Sequence, residues 1–211
     1  MSSQAYFDEV ATQWDTMRQR FYSEAVRENA YAVAGVQEGK LAADVGAGTG
    51  FITEGLIARG LQVIAVDQSE AMLAEMMRKF ANTDGIAYRL GEAESLPLPD
   101  ESVDYTFANM YLHHVESPPQ AIREMARILR PGGKLVVTDM DEHPFEFLRS
   151  EHHDRWMGFK RADVRRWLTE ARLGDVRVEA VGECCSAESR EACGDQVARV
   201  GIFVAFGTKI V

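Results

Sequence analysis

Three glycines, each separated from the next by one residue, directly follow a short apolar segment, and this arrangement constrains the fold more than any other feature. The segment covers residues 41–45, and the glycines are Gly46, Gly48 and Gly50. A tight strand-to-helix turn needs backbone angles that a Cβ atom penalises, and bare backbone lets a ligand approach closely. A dinucleotide-binding loop would place its third glycine one position later, where Phe51 stands. The spacing therefore favours an adenosyl amino acid over a pyrophosphate as the ligand of this turn.

Short apolar segments alternate with longer amphipathic ones along most of the chain, as in βα units that build a parallel sheet. The predicted strands are Leu41–Val45, Gln62–Val66, Ile86–Leu90, Val103–Ala108, Lys134–Thr138, Val176–Val181 and Val200–Phe206. The predicted helices are Gly50–Ala58, Glu70–Phe80, Pro118–Leu129 and Asp163–Ala171, preceded by helical runs near 6–14 and 21–36. We expect residues 141–160 to be irregular and the last two strands to form a long antiparallel hairpin.

The length and charge of the chain limit its organisation and its partners. A chain of 211 residues predicts a single domain, with a helical N-terminal lid over 1–40 and an α/β core over 41–211. No apolar stretch approaches the roughly 20 residues of a membrane-spanning helix and no secretion signal is evident, so we expect a cytoplasmic protein without a membrane partner. The formal net charge of -10 argues against nucleic acid as a partner. A monomer and a homodimer both remain open.

Acidic residues stand at the ends of the first two predicted strands. Asp44 precedes the glycine loop, where a carboxylate suits a cationic amino group. Asp67 ends the second strand, where a carboxylate can accept hydrogen bonds from both hydroxyls of a ribose. By position, Gln68 and Met72 would line the same pocket. The predicted ligand-binding residues of this region are Asp44, Gly46, Ala47, Gly48, Gly50, Asp67, Gln68 and Met72.

Five motifs occur in the register of one known family. They are DVGAGTG at 44–50, VDQS at 66–69, GEAESLPLPD at 91–100, VD at 103–104 and LRPGG at 129–133. With these motifs the chain strongly resembles the class I S-adenosylmethionine-dependent methyltransferases, in the ubiquinone/menaquinone-type or type 11 group. The resemblance implies a three-layer, Rossmann-like fold with a seven-stranded, mostly parallel sheet and an antiparallel last strand. It also implies S-adenosyl-L-methionine as the cofactor.

The resemblance further assigns roles to residues after the third and fourth strands. Glu92 and Ala93 would hold the adenine through a side-chain carboxylate and a backbone amide, although most members of the family carry Asp where this chain has Glu92. Asn109 would contact the methionine part of the donor. Methyl transfer from a sulfonium mainly requires alignment of the nucleophile with the methyl group and the sulfur, so an acid-base residue is optional.

The acceptor side lies outside the shared motifs, and we expect a small-molecule acceptor because the chain shows no extra recognition domain. His113 follows the fourth strand and is the candidate general base, since an imidazole titrates near neutral pH; packing or capping of a turn is the alternative role. The aromatic N-terminal segment would fold over the donor and exclude water. The predicted acceptor or lid residues are Tyr6, Trp14, Arg18, Tyr22 and His114.

Three cysteines, Cys184, Cys185 and Cys193, lie in the predicted final hairpin, which we expect to be remote from the donor site. An odd number without a secretion signal indicates free thiols. Three thiolates could also hold trivalent arsenic, so arsenite or another metalloid is an alternative acceptor. A non-catalytic S-adenosylmethionine-binding protein is a second alternative, whereas the glycine spacing disfavours a nicotinamide-dependent oxidoreductase. Histidines and carboxylates within 141–154 lack a recognised ligand spacing, so we predict no metal site.

Overall fold

A computed structural model describes residues 3–189 and 197–210. Its strands are β1 Leu41–Val45, β2 Gln62–Asp67, β3 Ile86–Leu90, β4 Val103–Asn109, β5 Leu129–Met140, β6 Leu173–Glu188 and β7 Val197–Lys209. Its helices are α1 Ser3–Val10, α2 Trp14–Arg18, α3 Ala25–Ala34, α4 Phe51–Ile57, α5 Glu70–Lys79, α6 Pro118–Arg127, α7 Glu146–Glu151 and α8 Arg161–Glu170, with 3-10 turns at Ala11–Gln13 and Leu112–His114. Every predicted strand is present, and the last three are longer than predicted.

The strands form one sheet in the order β3-β2-β1-β4-β5-β7-β6. β1 pairs parallel with both β2 and β4, whereas β7 pairs antiparallel with both β5 and β6. This confirms the predicted seven-stranded, mostly parallel sheet. Because the chain moves outward from β1 first toward β3 and later toward β6, the loops after β1 and β4 diverge and leave a crevice at the carboxyl ends of the strands.

Helices cover both faces of the sheet, so the predicted three layers are present. One core contains side chains that α3 and α4 place against the sheet, including Val26, Tyr31 and Leu56, together with Phe107 of β4. The core on the opposite face contains Ile122 and Met125 of α6 with Val164 and Leu168 of α8. Alternate residues of β1 enter these two cores, Ala42 the first and Ala43 the second, as the two-residue period of a strand requires.

The N-terminal helices have two different roles, which corrects the predicted extent of the lid. α3 belongs to the core: Val26 and Ala30 are almost completely buried, and the Tyr31 hydroxyl donates a hydrogen bond to the Ile52 carbonyl oxygen over 2.6 Å. Only residues 3–22, called the cover below, lie over the loops at the carboxyl ends of the strands. None of the helices in the described ranges has the length and apolar character needed to span a bilayer.

Candidate active site

The three loop glycines meet different steric demands. All three have positive φ, at 69°, 55° and 92° for Gly46, Gly48 and Gly50. A Cβ atom on Gly46 would lie 2.1 Å from the ring of Tyr111, and one on Gly50 would lie 2.6 Å from the ring of Phe80. At Gly48 the nearest atom would be 3.7 Å away. Packing therefore excludes larger residues at the first and third glycines, whereas a Cβ at the middle one would only touch the Trp14 side chain of the N-terminal segment.

A cavity opens beside this loop at the carboxyl ends of β1, β2 and β4, and we call it the loop cavity. Its volume is about 50 Å³. Predicted site residues that line it are Trp14, Arg18, Tyr22, Asp44, Gly46, Ala47, Gly48, Asp67, Gln68, Met72, Asn109 and His114. Sequence reasoning missed Phe7, Thr49, Phe51, Ile52, Met110 and Tyr111, which also line it.

Asp67, at the end of β2, is fixed by backbone hydrogen bonds. Its Oδ2 accepts from the Gly48 N–H over 2.8 Å, and its Oδ1 accepts from the Ser69 N–H over 2.9 Å. Burial raises the pKa of this carboxyl, and the N–H donors oppose that rise. The Gln68 N–H also donates to this carboxylate. An ionised carboxylate accepts about four hydrogen bonds, so Asp67 keeps capacity for a hydroxyl of a diol.

Asp44, at the end of β1, is the more deeply buried of the two acids. The backbone N–H and the hydroxyl of Thr53 both donate to its Oδ2, over 3.1 and 2.7 Å. Burial nevertheless raises the pKa of Asp44 to about 7, and the nearby Asp67 carboxylate adds to the rise. A cation brought into the loop cavity would favour the ionised form of this residue.

Arg18, the last residue of α2, is a buried cation in the wall of the loop cavity. Its guanidinium lies 4.0 Å from the centre of the Phe51 ring, and its side chain forms no ion pair with any described residue. The Nε atom is buried without a hydrogen-bond partner in the described part of the chain. A buried, unpaired guanidinium is costly unless an anion joins it, so the loop cavity has a position suited to a carboxylate.

Asn109 connects β4 to the cover. Its Nδ2 donates to the Tyr22 hydroxyl over 3.2 Å, and its Oδ1 accepts from the Thr138 hydroxyl over 2.7 Å. Burial strongly raises the pKa of Tyr22, so this phenol stays neutral. Both polar ends of Asn109 are therefore held, which fixes the side chain at the edge of the cavity.

The two residues predicted to hold an adenine lie elsewhere. Glu92 is exposed and lines a neighbouring depression together with Gln68. Ala93 is buried, and its backbone hydrogen bonds to the Tyr111 hydroxyl. Neither residue reaches the wall of the loop cavity. Their assignment to adenine stays a prediction.

Short hydrogen bonds hold the cover on the loops that form the cavity. The Ser69 hydroxyl donates to Asp8 over 2.6 Å, and the Thr49 hydroxyl donates to Asp15 over 2.6 Å. The Gln4 amide donates to the carbonyl oxygen of Gln68 over 3.0 Å. The cover is thus closed over the end of β2 and the glycine loop.

A second cavity lies beneath the cover beside the loop cavity, and we call it the aromatic cavity. Its volume is about 50 Å³. It is lined by Tyr6, Phe7, Trp14, Phe21, Tyr22, Met110, His113, His114, Met140, Leu148, His152, Asp154, Cys185 and Ala187. Five of these residues, Phe7, Trp14, Tyr22, Met110 and His114, also line the loop cavity. The structure therefore brings Tyr6, Tyr22, Trp14 and both predicted histidines to one place.

The histidines follow β4 on a 3-10 turn and are buried among carboxylates. His113 Nδ1 lies 2.7 Å from Asp139 Oδ1, and His113 Nε2 lies 3.8 Å from Asp154 Oδ1. Burial opposes the charged form of His113, but the Asp139 and Asp154 carboxylates raise its pKa to about 9. Burial raises the pKa of Asp154 to about 6. Burial and the neighbouring His113 hold the pKa of His114 well below its usual range.

The cysteines do not form a common site in the described residues. Cys184 is exposed and Cys185 is buried, as expected for neighbours on a strand whose side chains alternate. Cys185 lines the aromatic cavity, so the prediction that the hairpin cysteines are remote from the site is wrong for this residue. Burial raises the pKa of its thiol to about 12. Cys193 lies outside the described residues, and the comparisons below give no support to a metalloid acceptor.

The sheet order and the cavity at its switch point define a Rossmann-like methyltransferase fold. A methyltransferase in complex with the Haloferax volcanii Trm112 methyltransferase activator has the same fold, with a TM-score of 0.79, 21% identity, and coverage of 97% of this chain and 98% of that one. A SAM-dependent methyltransferase from Thermotoga maritima matches with a TM-score of 0.71 and 22% identity over 98% of this chain and 99% of its own.

Sequence comparison extends the assignment from fold to family. The type 11 family model, described as "Methyltransferase domain", matches residues 43–137. The demethylmenaquinone methyltransferase of Renibacterium salmoninarum is 34% identical over 156 residues, which cover 72% of this chain and 65% of the relative. Residues 43–137 form a methyltransferase domain of the type 11 group, within the class I S-adenosylmethionine-dependent methyltransferases, whose cofactor is S-adenosylmethionine. The chain spans less than two thirds of the length of the curated relatives it matches first.

Proposed function

We propose that this chain transfers a methyl group from S-adenosylmethionine in the loop cavity to a small molecule in the aromatic cavity. The observation that carries this proposal is the wall that the two cavities share, formed by Phe7, Trp14, Tyr22, Met110 and His114. A transfer between two bound molecules needs such neighbouring compartments, because the nucleophile must lie in line with the methyl group and the sulfur.

The loop cavity offers a partner for each polar part of the donor. Asp67 has lone pairs for a ribose diol, ionised Asp44 suits the cationic amino group, and Arg18 suits the carboxylate. Gly48 lines the same cavity, and its N–H donates to Asp67. The donor set of the cavity therefore fits an adenosyl amino acid, and we assign Asp44, Gly48 and Asp67, together with Arg18 of the cover, to its binding.

The aromatic cavity supports a small acceptor that carries a ring. Its wall contains the rings of Tyr6, Phe7, Trp14, Phe21 and Tyr22. Aromatic rings bury flat apolar surfaces well and pack edge-to-face, as Phe7 and Trp14 already do at 5.2 Å. One relative is named a demethylmenaquinone methyltransferase. Quinols and other hydroxylated rings are therefore the first acceptors to test.

The residues of the chain contribute binding, orientation and exclusion of water. S-adenosylmethionine, when bound, supplies a methyl group activated by its sulfonium. The cover, held by Asp8 and Asp15, closes both cavities from above, which removes water from the path of the methyl group. His113 lines the acceptor side, where its Nε2 atom lies 3.8 Å from Asp154 Oδ1. Its Nδ1 is already engaged by Asp139.

The test is a screen of acceptors with formation of S-adenosylhomocysteine as the readout. Quinols, phenols, amines, thiols and arsenite would each be supplied with the donor, and the methylated product would be identified by mass spectrometry. We expect turnover with a ring-bearing acceptor and its loss in the Asp67→Ala variant, with Glu170→Ala, an exposed acid at the end of α8, as the comparison. Donor binding measured by calorimetry without turnover on any acceptor would instead support a non-catalytic binding protein.

A further inference from the structure

Three potential metal ligands from two separate segments meet in the aromatic cavity. His113 and His114 lie on the 3-10 turn after β4, and Asp154 lies in the loop after α7. One ligand atom from each lies within 4.8 Å of those from the other two. All three residues are buried and line the aromatic cavity. Buried histidines and a carboxylate converging on one point are the ligand types of zinc and related divalent ions.

The free lone pairs of both imidazoles are available for an ion. Nδ1 of His113 is engaged by Asp139 over 2.7 Å, so Nε2 carries a lone pair when the ring is neutral. A carboxylate that binds the far nitrogen of a metal-bound histidine is the usual outer partner of such a ligand. Nδ1 of His114 is buried and has no hydrogen-bond partner among the described residues. Its ring is oriented by a hydrogen bond with the backbone of His153.

The charges and the dimensions also suit a divalent cation. Two carboxylates, Asp139 and Asp154, and two neutral imidazoles carry a charge that a single divalent ion balances. In a tetrahedral zinc site the ligand atoms are about 3.4 Å apart, because zinc lies about 2.1 Å from each nitrogen or oxygen. His113 Nε2 and Asp154 Oδ1 are already 3.8 Å apart. All three ligand atoms lie within 4.8 Å of one another, so side-chain shifts of about 1 Å would bring them to the spacing of a zinc site.

We propose that His113 Nε2, His114 Nδ1 and Asp154 bind a divalent transition metal ion such as Zn²⁺, with Asp139 as the outer partner of His113. The fourth position faces the aromatic cavity and takes the hydroxyl or thiol of the acceptor. The ion would hold that atom beside the wall shared with the loop cavity and lower its pKa, as bound zinc does for water. The ion-binding part of this proposal is independent of the proposed methyl transfer, whereas the role of the ion toward the acceptor depends on it.

Metal binding can be measured without turnover. The complete chain, freed of metal by a chelator, would be titrated with Zn²⁺ by calorimetry and with Co²⁺ by visible absorption. We expect one equivalent to bind and Co²⁺ to show the intense bands of a four-coordinate site. Asp154→Asn and His114→Gln should each weaken binding by more than tenfold, and Asp139→Asn by about 10- to 100-fold.

Two variants separate this site from other ligands in the same cavity. His152→Gln removes an imidazole from the cavity wall but not from the proposed trio, and Cys185→Ser removes the buried thiol. Both should bind Zn²⁺ and Co²⁺ like the wild type, without a thiolate-to-cobalt band in any sample. Thermal unfolding would verify that each variant is folded. Because two ligand residues are replaced independently, the test still stands if one of the two variants fails to fold. Absence of the Co²⁺ bands in the wild type, or unchanged affinity in both ligand variants, would overturn the proposal and leave His113 as an imidazolium held between two carboxylates.

Discussion

Donor binding should tighten as the pH rises toward 7.5, because the loop cavity holds a carboxyl that must lose its proton. Burial raises the pKa of Asp44 to about 7, so much of the free protein has a neutral Asp44 at pH 6. The cationic amino group of the donor favours the ionised form. If only that form binds, the apparent Kd is multiplied by one plus the ratio of protonated to ionised Asp44. This factor is about 11 at pH 6 and about 1.3 at pH 7.5, a roughly eightfold change in affinity.

Calorimetry with S-adenosylhomocysteine measures both the affinity of the ligand and the number of protons released when it binds. Titrations at pH 6 in two buffers of different ionisation enthalpy should show release of about 0.9 proton per ligand bound, since that fraction of Asp44 is protonated beforehand. The Asp44→Asn variant should bind more weakly and with a flat pH profile. An affinity that does not change between pH 6 and 7.5 in the wild type would refute the reasoning, as would the wild-type slope in Asp44→Asn.

Four further substitutions test separate parts of the site. Arg18→Gln should weaken S-adenosylhomocysteine by about 1.5 to 3 kcal/mol in calorimetry, but leave methylthioadenosine, which lacks the carboxylate, unaffected. Asp67→Ala should weaken the same ligand by about 1 to 3 kcal/mol, and wild-type affinity would count against its role with the ribose. Gly46→Ala should lower the free energy of unfolding by about 2 kcal/mol or more in denaturant titration, since its Cβ would overlap the Tyr111 ring. Asp8→Ala should speed ligand dissociation about fivefold in stopped flow, because one hydrogen bond of the cover is lost.

Local sequence signals predicted the half of the site that binds the donor. The glycine spacing and the acids at strand ends depend on residues close together in the chain, and parallel strands bring their carboxyl ends to one edge. Asp44, Gly48 and Asp67 therefore line one cavity as predicted. Even here the sequence explained two of the glycines only in part. Gly46 and Gly50 are required not only by the turn but also because they make room for the rings of Tyr111 and Phe80 from distant segments.

The half of the site around the aromatic cavity depends on long-range packing, which the spacing of residues along the sequence does not predict. Asp154 reaches His113 only because the segment after β5 folds back: the backbone N–H groups of residues 155 and 156 both donate to the His113 carbonyl oxygen. Cys185 enters the same cavity because it shares a face of β6 with Val181 and Ala187; the register against β7 shifts by two residues between Ala180 and Cys184, and an even shift keeps the faces of a strand. The histidine pair was visible in the sequence, but its acidic partners were not.

Phe7 and Trp14 of the cover stand in the wall of both cavities, so one movement of the N-terminal segment exposes the two compartments together. In the proposed reaction, a movement of the cover that releases spent donor would also open the compartment of the methylated product, so the two departures would be coupled. Steady-state turnover would follow the frequency of that opening rather than the rate of the chemical step.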